Sequence, residues 1–105
     1  MRERLEKMLA NGRDDALVRF SLGNACLSDG DVADAVTHLR AALGHDADYS
    51  AAWKLLGKAL EAAGETYQAL EAYTDGVAAA QRRGDMQASR EMQVFAKRLA
   101  KKLET

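Results

Sequence analysis

The chain has 105 residues, a formal net charge of −1, and 48% apolar and 30% charged residues, values that fit one small folded domain. The balanced charge gives no general attraction to nucleic acid or anionic membranes, and no apolar run approaches the roughly 18–20 residues that span a bilayer. The single cysteine, Cys26, excludes an internal disulfide, and the charged N-terminus lacks the apolar core of a signal peptide. We therefore expect a cytoplasmic protein.

Helix-forming residues dominate the composition and proline is absent, which predicts an all-α fold. The first predicted helix, over 2–10, is short and amphipathic. A second helix follows Asp14 or Asp15, either of which can cap it, and runs to about 28. A third, capped by Asp31, is predicted to end near 43, with Gly44 beyond it. Three more helices are predicted over about 49–63, 67–83 and 86–103, the last capped by Asp85.

A repeat of 34 residues organises the sequence. Five identical residues recur at this spacing: Leu22/Leu56, Gly23/Gly57, Ala25/Ala59, Gly30/Gly64 and Ala35/Ala69. A period of this length, with small residues among the shared positions, is typical of stacked helical hairpins. The sequence therefore predicts one domain with repeats over 16–49 and 50–83, an N-terminal flanking helix within 1–15 and a capping helix within 84–105.

The motifs within the two repeats resemble those of the tetratricopeptide repeat family. The better copy reads Trp53-x2-Leu56-Gly57-x2-Leu60 and then Ala69-x3-Tyr73; the weaker copy reads Leu22-Gly23-x2-Cys26 and then Ala35-x3-Leu39. Arg19 stands where the family usually has tryptophan, and Ala47 and Gln81 replace its closing prolines. The resemblance, to small bacterial-type members, implies a right-handed superhelix of about six antiparallel helices.

Small residues in each copy are expected to set the distance between the two helices of a hairpin. Gly23 and Gly57 permit a close approach, and Ala35 and Ala69 are expected to keep the facing helices slim. Trp53 is expected to fill part of the core.

In that family the first helix of each hairpin lines a concave groove that takes extended or helical peptides. The resemblance therefore implies a non-catalytic module that binds a peptide or protein segment, in an adaptor, assembly or chaperone-like role. The side chains it places in the groove are Leu17, Phe20, Asn24 and Leu27 from the first hairpin and Ala51, Lys54, Lys58 and Glu61 from the second. Met92, Phe95 and Ala96 are expected to close the far end of the groove.

The two groove lysines favour an acidic ligand. Lys54 and Lys58 lie one helical turn apart, so both ammonium groups project the same way and suit an acidic side chain or a C-terminal carboxylate. Alternatively, both lysines merely solvate an exposed face, with Lys58 paired to Glu61. The family's clamp for the C-termini of chaperones is not expected, because only Asn24 matches it. The other clamp positions hold Phe20, Leu55, Asp85 and Ser89.

The basic C-terminal segment leaves two alternative functions open. Residues 82–105 carry seven basic and three acidic residues. The bases of the last helix could contact nucleic acid or an anionic surface through Arg90, Lys97, Arg98, Lys101 and Lys102. The helix macrodipole also favours bases near a C-terminus, and aromatic residues do not alternate with them, so nucleic acid is the less favoured partner. The second alternative is weak end-to-end self-association, because a short solenoid exposes apolar ends.

No catalytic motif is apparent in the sequence, so we expect no enzymatic activity, cofactor or small-molecule substrate. Cys26 is predicted to be a buried structural thiol, and His38 a surface residue. His45, Asp46 and Asp48 superficially resemble a metal site. They fall in the turn between repeats, where aspartate caps helices, so no metal is expected there.

Overall fold

The computed structural model describes residues 1–104, and this part of the chain is built from six α-helices without strands. They are α1 (Arg2–Ala10), α2 (Ala16–Ser28), α3 (Val32–His45), α4 (Ser50–Ala62), α5 (Thr66–Arg83) and α6 (Met86–Leu103). The predicted all-α fold is confirmed. No helix in the described range is both long and apolar enough to cross a membrane.

Two of the predicted helix starts have the expected cap. The Asp15 carboxylate accepts a hydrogen bond from the Val18 amide at 2.9 Å, and the Asp85 carboxylate accepts one from the Ala88 amide at 3.2 Å. Both bonds satisfy amide groups that the first turn of a helix leaves without a partner.

The third helix differs from its prediction at both ends. Asp31 occupies the N-cap position of α3, but its side chain makes no capping bond and instead pairs with Arg2 of α1. At the other end, α3 continues to His45, so Gly44 lies within its last turn. The backbone of Gly44 does not adopt a positive φ, whereas Gly84, which ends α5, has φ 80°.

The helices form two layers. Each helix packs against the next one along the chain, and α4 also contacts both α2 and α6. In contrast, the backbones of α3 and α5 do not approach within 8 Å in the described chain. The stack therefore curves, with α2, α4 and α6 in the inner layer and α1, α3 and α5 in the outer layer.

Three glycines lie in the tightest contacts between consecutive helices. A Cβ added to any of them would overlap a large side chain 16 residues later in the sequence: Gly23 and Leu39 at 2.6 Å, Gly57 and Tyr73 at 2.2 Å, and Gly76 and Met92 at 2.5 Å. The close approach expected at Gly23 and Gly57 is therefore present. Ala35 and Ala69 are fully buried, but the missing Cβ atoms chiefly make room for Leu, Tyr and Met.

The core is divided into a main cluster and a small N-terminal one. The main cluster runs from α2 to α6. The small cluster joins Leu5 of α1 to Val18 and Leu22 of α2, with Met8 and Leu9 partly buried against them. Since so little apolar surface is shared, α1 depends more than the other helices on polar contacts.

Those polar contacts come from one arginine. The Arg2 guanidinium pairs with Asp29 at 3.2 Å, with Asp34 at 3.5 Å and with Asp31. These three carboxylates flank the turn between α2 and α3, so Arg2 ties α1 to the first hairpin. The acids raise the pKa of Arg2.

Trp53 packs against the main core but is only half-buried. Its Nε1 donates a hydrogen bond to the carbonyl oxygen of Ala47 at 2.8 Å. Ala47 holds the position of the family's closing proline, and its carbonyl thus fixes the indole to the turn before α4.

Candidate functional site

The three inner helices present equivalent positions to one face. Each begins directly after its N-cap residue, which is Asp15 for α2, Tyr49 for α4 and Asp85 for α6. At the third and seventh positions all three helices bury an apolar side chain, so their registers agree. The second, fifth, ninth and twelfth positions form four rows across the face: Leu17/Ala51/Gln87, Phe20/Lys54/Arg90, Asn24/Lys58/Val94 and Leu27/Glu61/Lys97.

The α2 part of this face is apolar. The Leu17 side chain is 59% exposed, and Phe20 stacks on Tyr49 with 5.0 Å between ring centroids. Asn24 is exposed, whereas Leu27 is half-buried against the main core. Phe20 is half-buried against the same core, so Leu17 and Asn24 are the exposed residues of the four predicted on α2.

A cleft between α1 and α2 contains two of the predicted residues. Phe20 and Asn24 line a cavity of about 840 Å³ together with Arg2, Leu5 and other residues of α1. The lysines of α4 are not among its lining residues, and neither are Leu17 and Leu27, so this cleft holds only part of the predicted set.

The predicted residues of α4 meet α6. Lys54 Nζ lies 3.5 Å from the carboxylate of Glu91, and Lys58 Nζ lies 5.7 Å from the ring centroid of Phe95. The Glu61 carboxylate accepts hydrogen bonds from the Tyr73 hydroxyl at 2.5 Å and from Arg98 at 3.1 Å.

These contacts revise the alternative in which Lys58 pairs with Glu61. Tyr73 and Arg98 hold the Glu61 carboxylate instead, and among the residues described Lys58 has no carboxylate partner. Burial of the Tyr73 ring and its bond to Glu61 raise the pKa of the Tyr73 hydroxyl, so it remains a hydrogen-bond donor.

On α6 the structure corrects the predicted groove residues. Met92 is fully buried against Gly76, and Phe95 and Ala96 are half-buried, so Met92 cannot line the groove. Carrying the 34-residue period forward from Lys58 leads to Met92, but the true spacing from α4 to α6 is 36 residues. Two extra residues turn the helical register by roughly 200°, which exchanges the buried and exposed faces.

The cause of the shift is visible in the helix lengths. α5 has 18 residues where α3 has 14, and the turn after it is two residues shorter than the turn after α3. With this spacing the groove positions on α6 are Gln87, Arg90, Val94 and Lys97, none of which was predicted from the sequence to line the groove. The sequence signal that identifies these four residues is the pair of capping aspartates, because aligning α6 with α2 on Asp85 and Asp15 gives the correct register.

His38 and its neighbours form a polar network outside the inner face. Asp14 accepts hydrogen bonds from Arg19 at 2.8 Å and from His45 at 2.9 Å, and Arg19 donates to Nδ1 of His38 at 3.1 Å. His38 is half-buried rather than on the surface as predicted, and this burial, with the charge of Arg19, lowers its pKa. The bond from Arg19 holds the pKa of Asp14 well below its usual range.

The residues that resemble a metal site have separate partners. Asp46 pairs with Arg83 at 2.7 Å and Asp48 with Arg82 at 2.8 Å, while His45 bonds to Asp14. No group of three metal-ligating side chains occurs in the described part of the chain. The two arginine pairs instead join the turn before α4 to the end of α5.

Cys26 lies in the main core and is fully buried, as predicted. Burial raises the pKa of its thiol, which keeps the sulfur in its unreactive protonated form.

Comparison with known sequences identifies the family. The family model described as tetratricopeptide repeat matches residues 27–91, and a second model with the same description matches residues 2–44. The TPR repeat-containing protein PA0015 of Pseudomonas aeruginosa is 50% identical over 99 residues, which cover 94% of each chain. The chain belongs to the tetratricopeptide repeat family. The predicted family is therefore confirmed.

Solved structures agree with this assignment. Protein BPP2914 of Bordetella parapertussis is 49% identical and superposes with a TM-score of 0.83, covering 97% of this chain and 89% of that one. A tetratricopeptide repeat domain protein of Salinibacter ruber, 23% identical, has a TM-score of 0.76 and covers 82% of this chain and 87% of that one. The latter supports the tetratricopeptide fold alone. Proteins with this fold generally mediate protein–protein interactions and are typically non-catalytic.

Proposed function

We propose that this tetratricopeptide repeat protein binds a peptide or protein segment along its inner face, as a non-catalytic adaptor or assembly module in the cytoplasm. The observation that carries the proposal is Lys58. Its ammonium group lies beside Phe95 on the inner layer, and no carboxylate among the described residues neutralises it. An exposed cation next to aromatic surface suits an acidic side chain that also packs against a ring.

The other proposed contacts divide by chemistry. Leu17 and Phe20 offer apolar surface, and the amide of Asn24 can bond to the backbone of a bound segment. Lys54 and Glu61 already have partners within the protein. Their part is to fix the surroundings of Lys58, while Leu27 supports the helix from the core side.

The test uses a display library of random peptides, because no natural partner is needed for it. A peptide selected on the folded protein is titrated into protein labelled with ¹⁵N, and amide shifts are mapped by NMR. We expect the shifts to cluster on α2 and α4, and Lys58→Glu to weaken binding several-fold. Lys7→Glu is the matched control, because Lys7 is an exposed helical lysine of the outer layer. Shifts confined to α3 and α5, or equal effects of the two variants, would contradict the proposal.

A further inference from the structure

The inner face changes from uncharged at the α2 end of the stack to basic at the α6 end. We propose that it accepts a segment with a fixed orientation, in which acidic residues lie over α6 and are bound by Arg90, Lys97 and Lys101, and apolar residues lie over α2. This inference rests on the proposed function, since it names the chemistry of the bound segment and the direction in which it runs.

The first support is the register of α6. Arg90 and Lys97 occupy the same helical positions as Lys54 and Glu61 of α4, and Lys101 follows one turn after Lys97. The residues that follow Arg90 and Lys97 are Glu91 and Arg98, and both contact α4. Lys101 precedes Lys102, which lies one helical turn beyond Arg98. All three proposed cations are exposed, and Val94, which lies between them on the same stripe, is 64% exposed.

The second support is that these cations are not neutralised within the protein. Arg90, Lys97 and Lys101 have no ion pair in the part of the chain that the structure describes, whereas Arg98 is paired with Glu61. Glu91, the only acid within α6, is engaged by Lys54 of α4.

The third support is the gradient across the face. The groove positions of α2 hold no charge, those of α4 hold one cation without an acidic partner, Lys58, and α6 adds Arg90, Lys97 and Lys101. A segment of uniform chemistry would fit only one end. An acidic part joined to an apolar part matches both ends at once, and electrostatic complementarity of this kind selects partners and fixes their register.

A peptide fits this surface better than a polyanion does. The outer layer carries exposed acids, including Asp34, Glu71 and Asp75, which repel an extended polyanion. The exposed Val94 among the cations offers apolar contact to a side chain and cannot stack on a base.

The experiment compares peptides selected from the random library on three proteins. These are the wild type, Lys97→Glu/Lys101→Glu, and the control Arg4→Glu/Lys7→Glu, which changes the net charge equally through exposed cations of α1. We expect peptides selected on the wild type to be enriched in Asp and Glu. Their affinity should fall about tenfold for the α6 variant and stay within about twofold for the control. Because reversed charge at 97 and 101 also disfavours α6, Lys97→Gln/Lys101→Gln is measured as well and should show a smaller loss.

A nitroxide attached to either end of a selected peptide reports its orientation. A label at the acidic end should broaden the amide signals of α6, and a label at the apolar end should broaden those of α2. Selected peptides without acidic enrichment, or the opposite pattern of broadening, would overturn this inference while leaving a peptide-binding inner face intact. Peptides that map to α3 and α5 would overturn the proposed function as well. Preferential binding of a single-stranded RNA or of phosphatidylglycerol vesicles to Lys97 and Lys101 would replace the acidic peptide with a polyanion.

Discussion

Replacing Gly57 with alanine should destabilise the protein, although alanine is the better helix former. The added Cβ would lie 2.2 Å from Cε1 of Tyr73, with two further ring atoms at 2.5 and 2.6 Å. Ordinary contact between carbon atoms begins near 3.5 Å, so the ring or the helix must move by more than about 1 Å. The ring has little freedom, because it is fully buried, donates to Glu61 and packs 5.3 Å from the ring of Phe95.

The magnitude follows from two opposing effects. Alanine gains about 1 kcal/mol of helix propensity over glycine. Overpacking costs about 1–3 kcal/mol, and more where neighbours are rigid, as Tyr73 is. We therefore expect Gly57→Ala to lower the free energy of unfolding by about 1–2 kcal/mol.

Urea unfolding followed by circular dichroism measures this change, and Gly44→Ala is the matched control. Gly44 also lies within a helix, but a Cβ there would meet nothing within 4 Å. The same substitution should therefore stabilise the protein there by up to about 1 kcal/mol. Equal effects at the two positions, or a stabilising Gly57→Ala, would refute the packing of glycine against the tyrosine ring.

Three further variants test other contacts by urea unfolding. Trp53→Ala should cost about 3 kcal/mol, the lower end for aromatic truncation, since the indole is half-buried; no loss would place it outside the core. Tyr73→Phe should cost about 1–2 kcal/mol by removing the donor to Glu61, and an unchanged stability would show that this bond contributes nothing net. Burial and Arg19 lower the pKa of His38, so the unfolded chain binds the proton more tightly. The free energy of unfolding should keep its full value above about pH 6.5 and fall as the pH drops below it. The fall should be smaller in His38→Gln.

The fold was predictable because local signals and the repeat agree. The 34-residue identities place glycine at the same helical position in α2 and α4, and aspartate stands at the N-cap positions of α2, α3 and α6. Helix boundaries were predicted to within about two residues, which is the usual ambiguity of fraying ends. Gly44 shows the remaining difficulty, because a glycine near a helix end marks its stop only where φ becomes positive.

The candidate site was less accessible from sequence, for a geometric reason. Side chains on a helix change face with a displacement of one or two residues. Assuming a 34-residue period where the spacing before α6 is 36 therefore assigned the buried Met92 to the groove. Contacts between distant residues, such as Tyr73 and Arg98 around Glu61, depend on the crossing of three helices and leave no local pattern. The pairing of Arg2 with the acids of the first turn is of the same kind.

The position of the cations on α6 also bears on whether that helix only covers the end of the stack. The macrodipole stabilises bases in the last turn of a helix, which accounts for Lys101 and Lys102. It gives no such stabilisation to Arg90, the fifth residue of α6, or to Lys97, its twelfth residue of 18 and outside the last turn. Solvation of an exposed face would be served as well by acids, which are more favourable near an N-terminus. Arg90 is thus the cation for which a capping role is the weakest explanation, and its loss should affect binding of an acidic segment without affecting the stability of the helix.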